Sequence, residues 1–231
     1  MVKSFRFLLN FAVINLGAIF GFAAIVIVGC YATGVPDNPS YSNLFTSYYA
    51  MFPTMILLFL FLYAFALCTN NLNLGLSMGA RRGDFFWAIQ GIFLFYTAVG
   101  WALQWFLSVL PTAAGWMEWE RWSLLTAFSG KVWSYPLLCI ALLVLGCLGG
   151  LLMVRSRILA ALVIIASCFI MIGATVFMLL FTDARMTIIL TGTGWEWIFT
   201  TLPKFLTAAL FVSAVGGEIL IWRAIQHYVV R

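Results

Sequence analysis

Few residues of this sequence are of the types that carry out chemistry. His227 is the only histidine, and Glu218 is the only acid that lies well inside an apolar run. Hydrolytic and metal sites need several carboxylate, imidazole or thiolate groups held together. The sequence therefore predicts a chain that is not an enzyme, with no catalytic residue, no metal site and no cofactor of its own.

The cysteines suggest no site either. The chain has five, none in Cys-x-x-Cys spacing, and all lie in or beside apolar runs. They are Cys30, Cys68, Cys139, Cys147 and Cys168. We expect them to be small core residues, because a free thiol packs as a small apolar group.

The polar side chains that fall within apolar runs include Gln90, Gln104 and Glu218. An intramembrane carboxylate is costly and by default indicates function, so these residues are the candidates for a translocation pathway. For the two glutamines the alternative is hydrogen bonding between helices. For Glu218 the alternatives are pairing with Arg223, with a cytoplasmic arginine or with water, and proton coupling.

The composition decides which elements position these residues. Of 231 residues, 65% are hydrophobic, 17% aromatic and only 8% charged, whereas soluble domains carry about 25% charged residues. The sequence therefore predicts an integral membrane protein. The net charge is +5, from 12 basic and 7 acidic side chains. The basic residues form no stripe, so the predicted partners include membrane lipid but no nucleic acid.

Six apolar runs are long enough to cross a bilayer as helices, which takes roughly 20 residues. They lie near 7–31, 46–69, 86–110, 133–154, 158–182 and 203–224. The first run is too long for a signal peptide. We expect an all-α protein with six transmembrane helices, and residues 1–231 as a single membrane domain.

The distribution of lysine and arginine predicts the orientation. One side would hold Lys3, Arg6, Arg81, Arg82, Arg155, Arg157, Arg223 and Arg231, and the other Arg121, Lys131, Arg185 and Lys204. Cytoplasmic loops carry the excess of positive charge. Both termini are therefore predicted to be cytoplasmic.

The segment between the second and third runs is the most informative. Residues 70–86 read NNLNLGLSMGARRGDFF, in which apolar residues alternate with Asn, Ser, Arg and Asp. This alternation predicts a short helix on the cytoplasmic surface, with its apolar side inward. The alternative is a solvated loop whose two arginines only follow the charge rule.

The string LSMGARRGDFF, at residues 76–86, resembles a pattern that recurs in the ABC-2 type permease subunits of bacterial ABC transporters. In this chain Ala80 stands where that family often has a hydroxyl residue. The number of runs and the chain length are similar to the family over the whole sequence. The resemblance does not identify a substrate.

The resemblance implies that residues 72–86 couple the chain to a separate ATPase subunit, which binds ATP and Mg. The coupling residues implied are Ser77, Met78, Gly79, Arg81, Arg82, Asp84, Phe85 and Phe86. Arg81 and Arg82 would pair with acidic or carbonyl groups of the ATPase. Met78, Phe85 and Phe86 would supply apolar contacts.

The same resemblance implies an exporter subunit in a bacterial plasma membrane, acting as a homodimer or as a heterodimer with a second permease. The aromatic content favours an amphipathic or hydrophobic cargo, such as a peptide, lipid or drug. The alternative function is the substrate-binding membrane subunit of an energy-coupling factor importer, although those subunits lack this coupling string. The sequence contains no phosphate-binding loop motif. This is expected of a subunit whose ATP is hydrolysed by a separate partner.

Glycine pairs four residues apart allow helices in lipid to approach closely. Gly17 and Gly21 are assigned here to a dimer interface, and Gly146 and Gly150 to packing within the chain or between subunits. On the outer side, the tryptophans of 116–122 suit an interfacial helix. Residues 184–202 predict re-entrant or interfacial outer helices before the last span, another feature that resembles ABC-2 permeases.

Overall fold

The computed structural model describes residues 2–32, 42–113, 133–182 and 196–228. Throughout these ranges the regular structure is helical. The helices are α1 (Val2–Ala32), α2 (Ser42–Ala66), a π-helical turn (Leu67–Asn71), α3 (Leu72–Ser77), α4 (Arg82–Ala113), α5 (Ser134–Arg155), α6 (Arg157–Thr182) and α7 (Glu196–Gln226). Helices suit a lipid environment because they satisfy their backbone polar groups internally.

Five helical segments of the described chain are long and apolar enough to cross a membrane. They are Val2–Gly29, Thr54–Ser77, Arg82–Phe106, Ser134–Arg155 and Lys204–Gln226, and Arg157–Gly173 forms a shorter apolar helix. The prediction of an all-helical, multi-pass membrane protein is therefore confirmed. The count of six spans and the side on which the termini lie stay predictions.

Two boundaries differ from the predicted runs. The second run does not stop at 69, because helical structure continues through the π-helical turn and α3 to Ser77. The last helix begins at Glu196, so residues 196–202 of the predicted outer segment form its first turns. Residues 183–195 and the tryptophan-rich stretch 116–122 lie outside the described residues.

Helix α5 is the centre of the bundle. It packs against α2, α4, α6 and α7, whereas α1 packs mainly against α4. Most of its side chains are buried. Because lipid tails are as apolar as leucine, this arrangement depends on close van der Waals contact rather than on a hydrophobic driving force.

Glycines provide that close contact on α5. A Cβ atom added at Gly146 would lie 2.6 Å from the carbonyl oxygen of Phe61, and one at Gly150 would lie 2.6 Å from that of Phe65. This glycine pair therefore packs α5 directly on the backbone of α2, within one chain. Gly17 and Gly21 on α1 have no described atom within 4 Å of such a position.

The expectation that all cysteines are plain core residues is wrong for two of them. Cys68 in the π-helical turn and Cys147 on α5 form a disulfide, with Cα atoms 5.2 Å apart. They are 79 residues apart in sequence, and the approach of α5 to α2 brings them together. Cys139 is a buried free cysteine and Cys168 an exposed one.

Substitution of Gly146 by alanine should lower the free energy of unfolding by about 1–3 kcal/mol, because the new methyl group overlaps the α2 backbone. The measurement is unfolding in mixed micelles by titration with a denaturing detergent. Gly173→Ala is the matched control, since a Cβ there meets no described atom within 4 Å. Equal effects of the two substitutions would contradict this packing.

Candidate functional site

A tight turn joins α3 to α4, and it consists of Met78–Arg81. We call these four residues the α3–α4 turn. The amide of Ala80 donates to the carbonyl of Gly75 (3.1 Å), and the amide of Gly79 donates to that of Leu76 (3.0 Å). These are the two hydrogen bonds of a Schellman motif. Gly79 has φ +85°, a conformation that glycine adopts without steric cost.

The α3–α4 turn is attached to α2 without a break in helical structure. The amide of Leu72 donates to the carbonyl of Leu67 across the π-helical turn. The Thr69 hydroxyl donates to the carbonyls of Phe65 (3.1 Å) and Ala66 (3.3 Å). A π-helical turn inside a longer helix often occurs at functional sites. Displacement of the α3–α4 turn would therefore be transmitted to α2.

The Phe85 side chain holds the turn from inside the protein. It is fully buried, and a Cβ at Gly75 would overlap its ring. Phe85, which we expected to contact a partner, lies between α3 and α4 instead. The sequence pattern did not indicate the role of Gly75, where a larger residue would require the ring to shift.

The outward face of the segment contains a different set of side chains. Met78 is 71% exposed and Leu74 is 47% exposed. Arg81, Ser77 and Gly79 are also exposed. The Ser77 hydroxyl donates to the Leu74 carbonyl (2.8 Å), which is a local helical contact. A flexible thioether, a leucine and a cation together form a surface suited to another protein.

Arg82 ties the start of α4 to the end of α7. Its Nη1 donates to the carbonyl of Gln226 (2.8 Å), and its Nη2 donates to that of Tyr228 (2.9 Å). The last carbonyls of a helix lack partners within the helix and carry partial negative charge, so a guanidinium stabilises them. Arg82, which we expected to pair with a partner, is bonded within the chain.

The other two predicted coupling residues also have positions set by the chain. Asp84 lies in the first turn of α4, where a carboxylate is favourable next to the helix N-terminus. The Phe86 ring packs edge-on against Trp222 of α7, with ring centroids 4.7 Å apart. The start of α4, which directly follows the α3–α4 turn, thus contacts α7 through both Arg82 and Phe86.

A groove of about 360 Å³ lies beside the turn. It is lined by Lys3, Ser4 and Phe7 of α1 and by Met78, Gly79 and Phe85. The start of α1, the α3–α4 turn and the end of α7 therefore share one end of the bundle, which we call the turn end. Lys3, Arg81 and Arg82 lie at this end, and the side of the membrane that it faces stays a prediction.

The structure brings Gln90 and Glu218 together, while their assignment to a translocation pathway stays a prediction. The Gln90 Nε2 donates to a carboxylate oxygen of Glu218, joining α4 to α7. Of the alternatives for Glu218, pairing with Arg223 does not occur among the described contacts, where the partner is Gln90. Residues five apart on a helix point about 140° from each other, so their side chains diverge.

Gln104 does not belong to that contact. It lies two heptads further along α4, is 1% exposed, and its Oε1 has no hydrogen-bond partner within the described ranges. Thr97, midway between Gln90 and Gln104, is likewise buried. Because seven residues bring a helix back to nearly the same face, these three residues form a polar line along α4.

Metal-ligating side chains do not gather anywhere in the described residues, in groups of three or more. Comparisons with family models, with curated proteins and with solved structures gave no match to this chain. The geometry of the site must therefore be interpreted from its own contacts.

Replacing Arg82 by glutamine should loosen the end of α7, because the Gln226 and Tyr228 carbonyls lose a charged donor. We expect amide exchange at His227 and Tyr228 to rise about five- to tenfold, the equivalent of one lost hydrogen bond. These amides donate to the carbonyls of Arg223 and Ile225. Arg81→Gln is the control. Equal amide exchange rates at His227 and Tyr228 in the two variants would contradict the role of the Arg82 hydrogen bonds.

Replacing Gln90 by leucine should cost about 1–3 kcal/mol of unfolding free energy, because the Glu218 carboxylate loses its donor while still partly buried. The double variant Gln90→Leu/Glu218→Leu should recover most of that loss, since both polar groups are removed. Detergent-induced unfolding of the unaltered protein, Gln90→Leu, Glu218→Leu and the double variant provides the double-mutant cycle. A double variant that is less stable than either single one would refute the pairing.

Proposed function

We propose that this chain is an ABC-2 type permease subunit of an ABC exporter in a bacterial plasma membrane, with both termini cytoplasmic. It works as a dimer, with itself or with a second permease, on two separate ATPase subunits that bind ATP and Mg. The observation that carries the proposal is the α3–α4 turn. Its Met78 and Arg81 side chains are exposed and available to a partner, and the turn joins α3 to α4, which is bonded to α7 through Arg82.

The turn is built to transmit force. A Schellman motif fixes its backbone, and Phe85 fills the space that Gly75 leaves. The turn follows α3, which continues α2, and it leads into α4, whose first residue, Arg82, is bonded to the end of α7. A partner that pushes on it would shift all three helices together, which is what coupling of a nucleotide cycle to a membrane domain requires.

The structure suggests separate roles for the coupling residues that the resemblance implied. Met78 and Arg81, together with Ser77 and the exposed part of Leu74, would contact the ATPase. The remaining members position the turn from within. They are Gly79, Arg82, Asp84, Phe85 and Phe86.

The cargo is proposed to be amphipathic or hydrophobic, such as a peptide, a lipid or a drug. The polar line of Gln90, Thr97 and Gln104 would contribute to its pathway, with Glu218 at the turn end. Gly17 and Gly21 present an open face of α1, as close approach by a second permease would need.

The test is affinity purification of the chain from the membrane of its own organism, followed by mass spectrometry and assay of vanadate-sensitive ATP hydrolysis. We expect an ABC ATPase subunit to co-purify. The double variant Met78→Ser/Arg81→Ala should reduce its recovery about tenfold, as truncation of interface hot spots does.

Arg6→Ala is the matched control, because Arg6 is exposed near the same end and does not line the groove beside the turn. Membrane yield and size-exclusion profile must be equal for all three proteins. Recovery of no ATPase subunit, or undiminished recovery with the double variant, would refute the proposal.

A further inference from the structure

A cavity of about 750 Å³ opens between α5 and α7 at the turn end. Its wall is apolar and is formed mainly by Leu148, Leu151, Leu152 and Leu220. Its polar lining is cationic or titratable, and consists of Arg155, Arg223 and His227 beside Tyr228. The cavity therefore combines a leucine surface with a basic rim.

A second cavity of about 360 Å³ adjoins the first. The two share Val154, Arg155 and Tyr228. The second adds Arg157 and Thr69 to the lining, so that Arg155 stands between two polar compartments. No aspartate or glutamate occurs among the described residues that line either cavity.

The ends of three helices bring these arginines together. Arg155 is the last residue of α5, Ser156 has an extended backbone, and Arg157 is the first residue of α6. Arg223 lies in the last turn of α7. Tyr228, the common wall, is held through its carbonyl by Arg82. The arginine side chains are exposed, and the helix ends that carry them are fixed by the packing of the bundle.

The orientation rule explains arginines at this end of the helices but not their convergence on one cavity. Cations that share a cavity repel one another, and this repulsion is relieved when an anion lies among them. The lining supplies no such anion. The charge pattern is complementary to a ligand with at least one negative phosphate group.

The apolar wall identifies the source of that phosphate. A soluble phosphate compound would leave the leucines in contact with water, whereas an acyl chain would cover them. Leu220 is 54% exposed and lies on the outward side of α7, so the wall is open at its side. Basic pockets between transmembrane helices are known places for anionic lipid headgroups.

We infer that the two cavities bind an anionic phospholipid. One phosphate lies between Arg155 and Arg223, and an acyl chain lies along the leucines of α5 and α7. A second phosphate fits between Arg155 and Arg157, so a two-phosphate headgroup such as that of cardiolipin binds more tightly than phosphatidylglycerol. This site is separate from the surface proposed to contact an ATPase.

The experiment is native mass spectrometry of the delipidated full chain in detergent, titrated separately with phosphatidylcholine, phosphatidylglycerol and cardiolipin. We expect affinity to increase in that order. Arg155→Gln and Arg223→Gln should each weaken binding of the anionic lipids about fivefold, the usual effect of one basic residue on anionic lipid. Neither should alter phosphatidylcholine binding.

Arg6→Gln is the matched control. It removes the same charge at the same end, next to Phe5, which packs against Gly91 of α4, and it lines neither cavity. Arg155→Lys/Arg223→Lys serves as the rescue, because it keeps both charges and should retain most of the binding. A folding defect would instead lower binding of all three lipids.

Three outcomes would overturn the inference. One is equal affinity of the unaltered chain for phosphatidylcholine and the anionic lipids, and another is the same loss with Arg6→Gln as with Arg223→Gln. The third is displacement of the lipid by inorganic phosphate, which would identify a site for free anions. Equal affinity for cardiolipin and phosphatidylglycerol would overturn the second phosphate position.

Discussion

The close contact of α5 with its neighbours is the constraint on which the rest of this bundle depends. Helices in lipid gain little by hiding apolar surface from each other, so small residues that allow backbones to touch decide which helices associate. On α5 these are Gly146 and Gly150 against α2, while Gly217 of α7 lies against Val144. The contact of α5 with α2 also brings Cys68 to Cys147. The contact of α5 with α7 accompanies a position of α7 in which its end is within reach of Arg82.

Helix α4 packs through buried apolar side chains, and a small number of polar contacts also join it to α1 and α7. Asn15 donates to the Tyr96 hydroxyl (3.3 Å), and that hydroxyl donates to the Ala12 carbonyl (3.3 Å), so α1 and α4 are joined by hydrogen bonds. Gln90 joins α4 to Glu218 of α7. Polar contacts between membrane helices are worth only about 0.6 kcal/mol on average. These polar contacts therefore specify which residues of α1 and α7 face α4, whereas its packing rests on buried apolar side chains such as Phe85, Ile89 and Phe93.

The long helices were predictable because each needs only an apolar run, a property of neighbouring residues. The spacing of Gly146 and Gly150 was predictable as a packing motif for the same reason. The sequence did not indicate that the helix in contact with it would be α2. Contacts between distant residues were not predictable. The string around Arg82 indicates a charged surface segment, yet its guanidinium bonds a backbone carbonyl 144 residues away. Every residue has a backbone carbonyl, so the sequence does not indicate which one a side chain will bond. Likewise, the spacing of Gly75 and Phe85 in the sequence does not predict that the Phe85 ring packs against Gly75.

The C-terminal end of α7 connects the two surfaces proposed to bind ligands. Arg82 bonds the carbonyl of Tyr228, and Tyr228 also walls both lipid cavities. A ligand in those cavities that favours one position of this end would bias the α3–α4 turn, and a partner on the turn would change lipid affinity by the same factor, because linkage is reciprocal. Arg81 and Arg223 each belong to one surface alone. The two surfaces would communicate through Arg82, because its guanidinium donates hydrogen bonds to two backbone carbonyls at the end of α7.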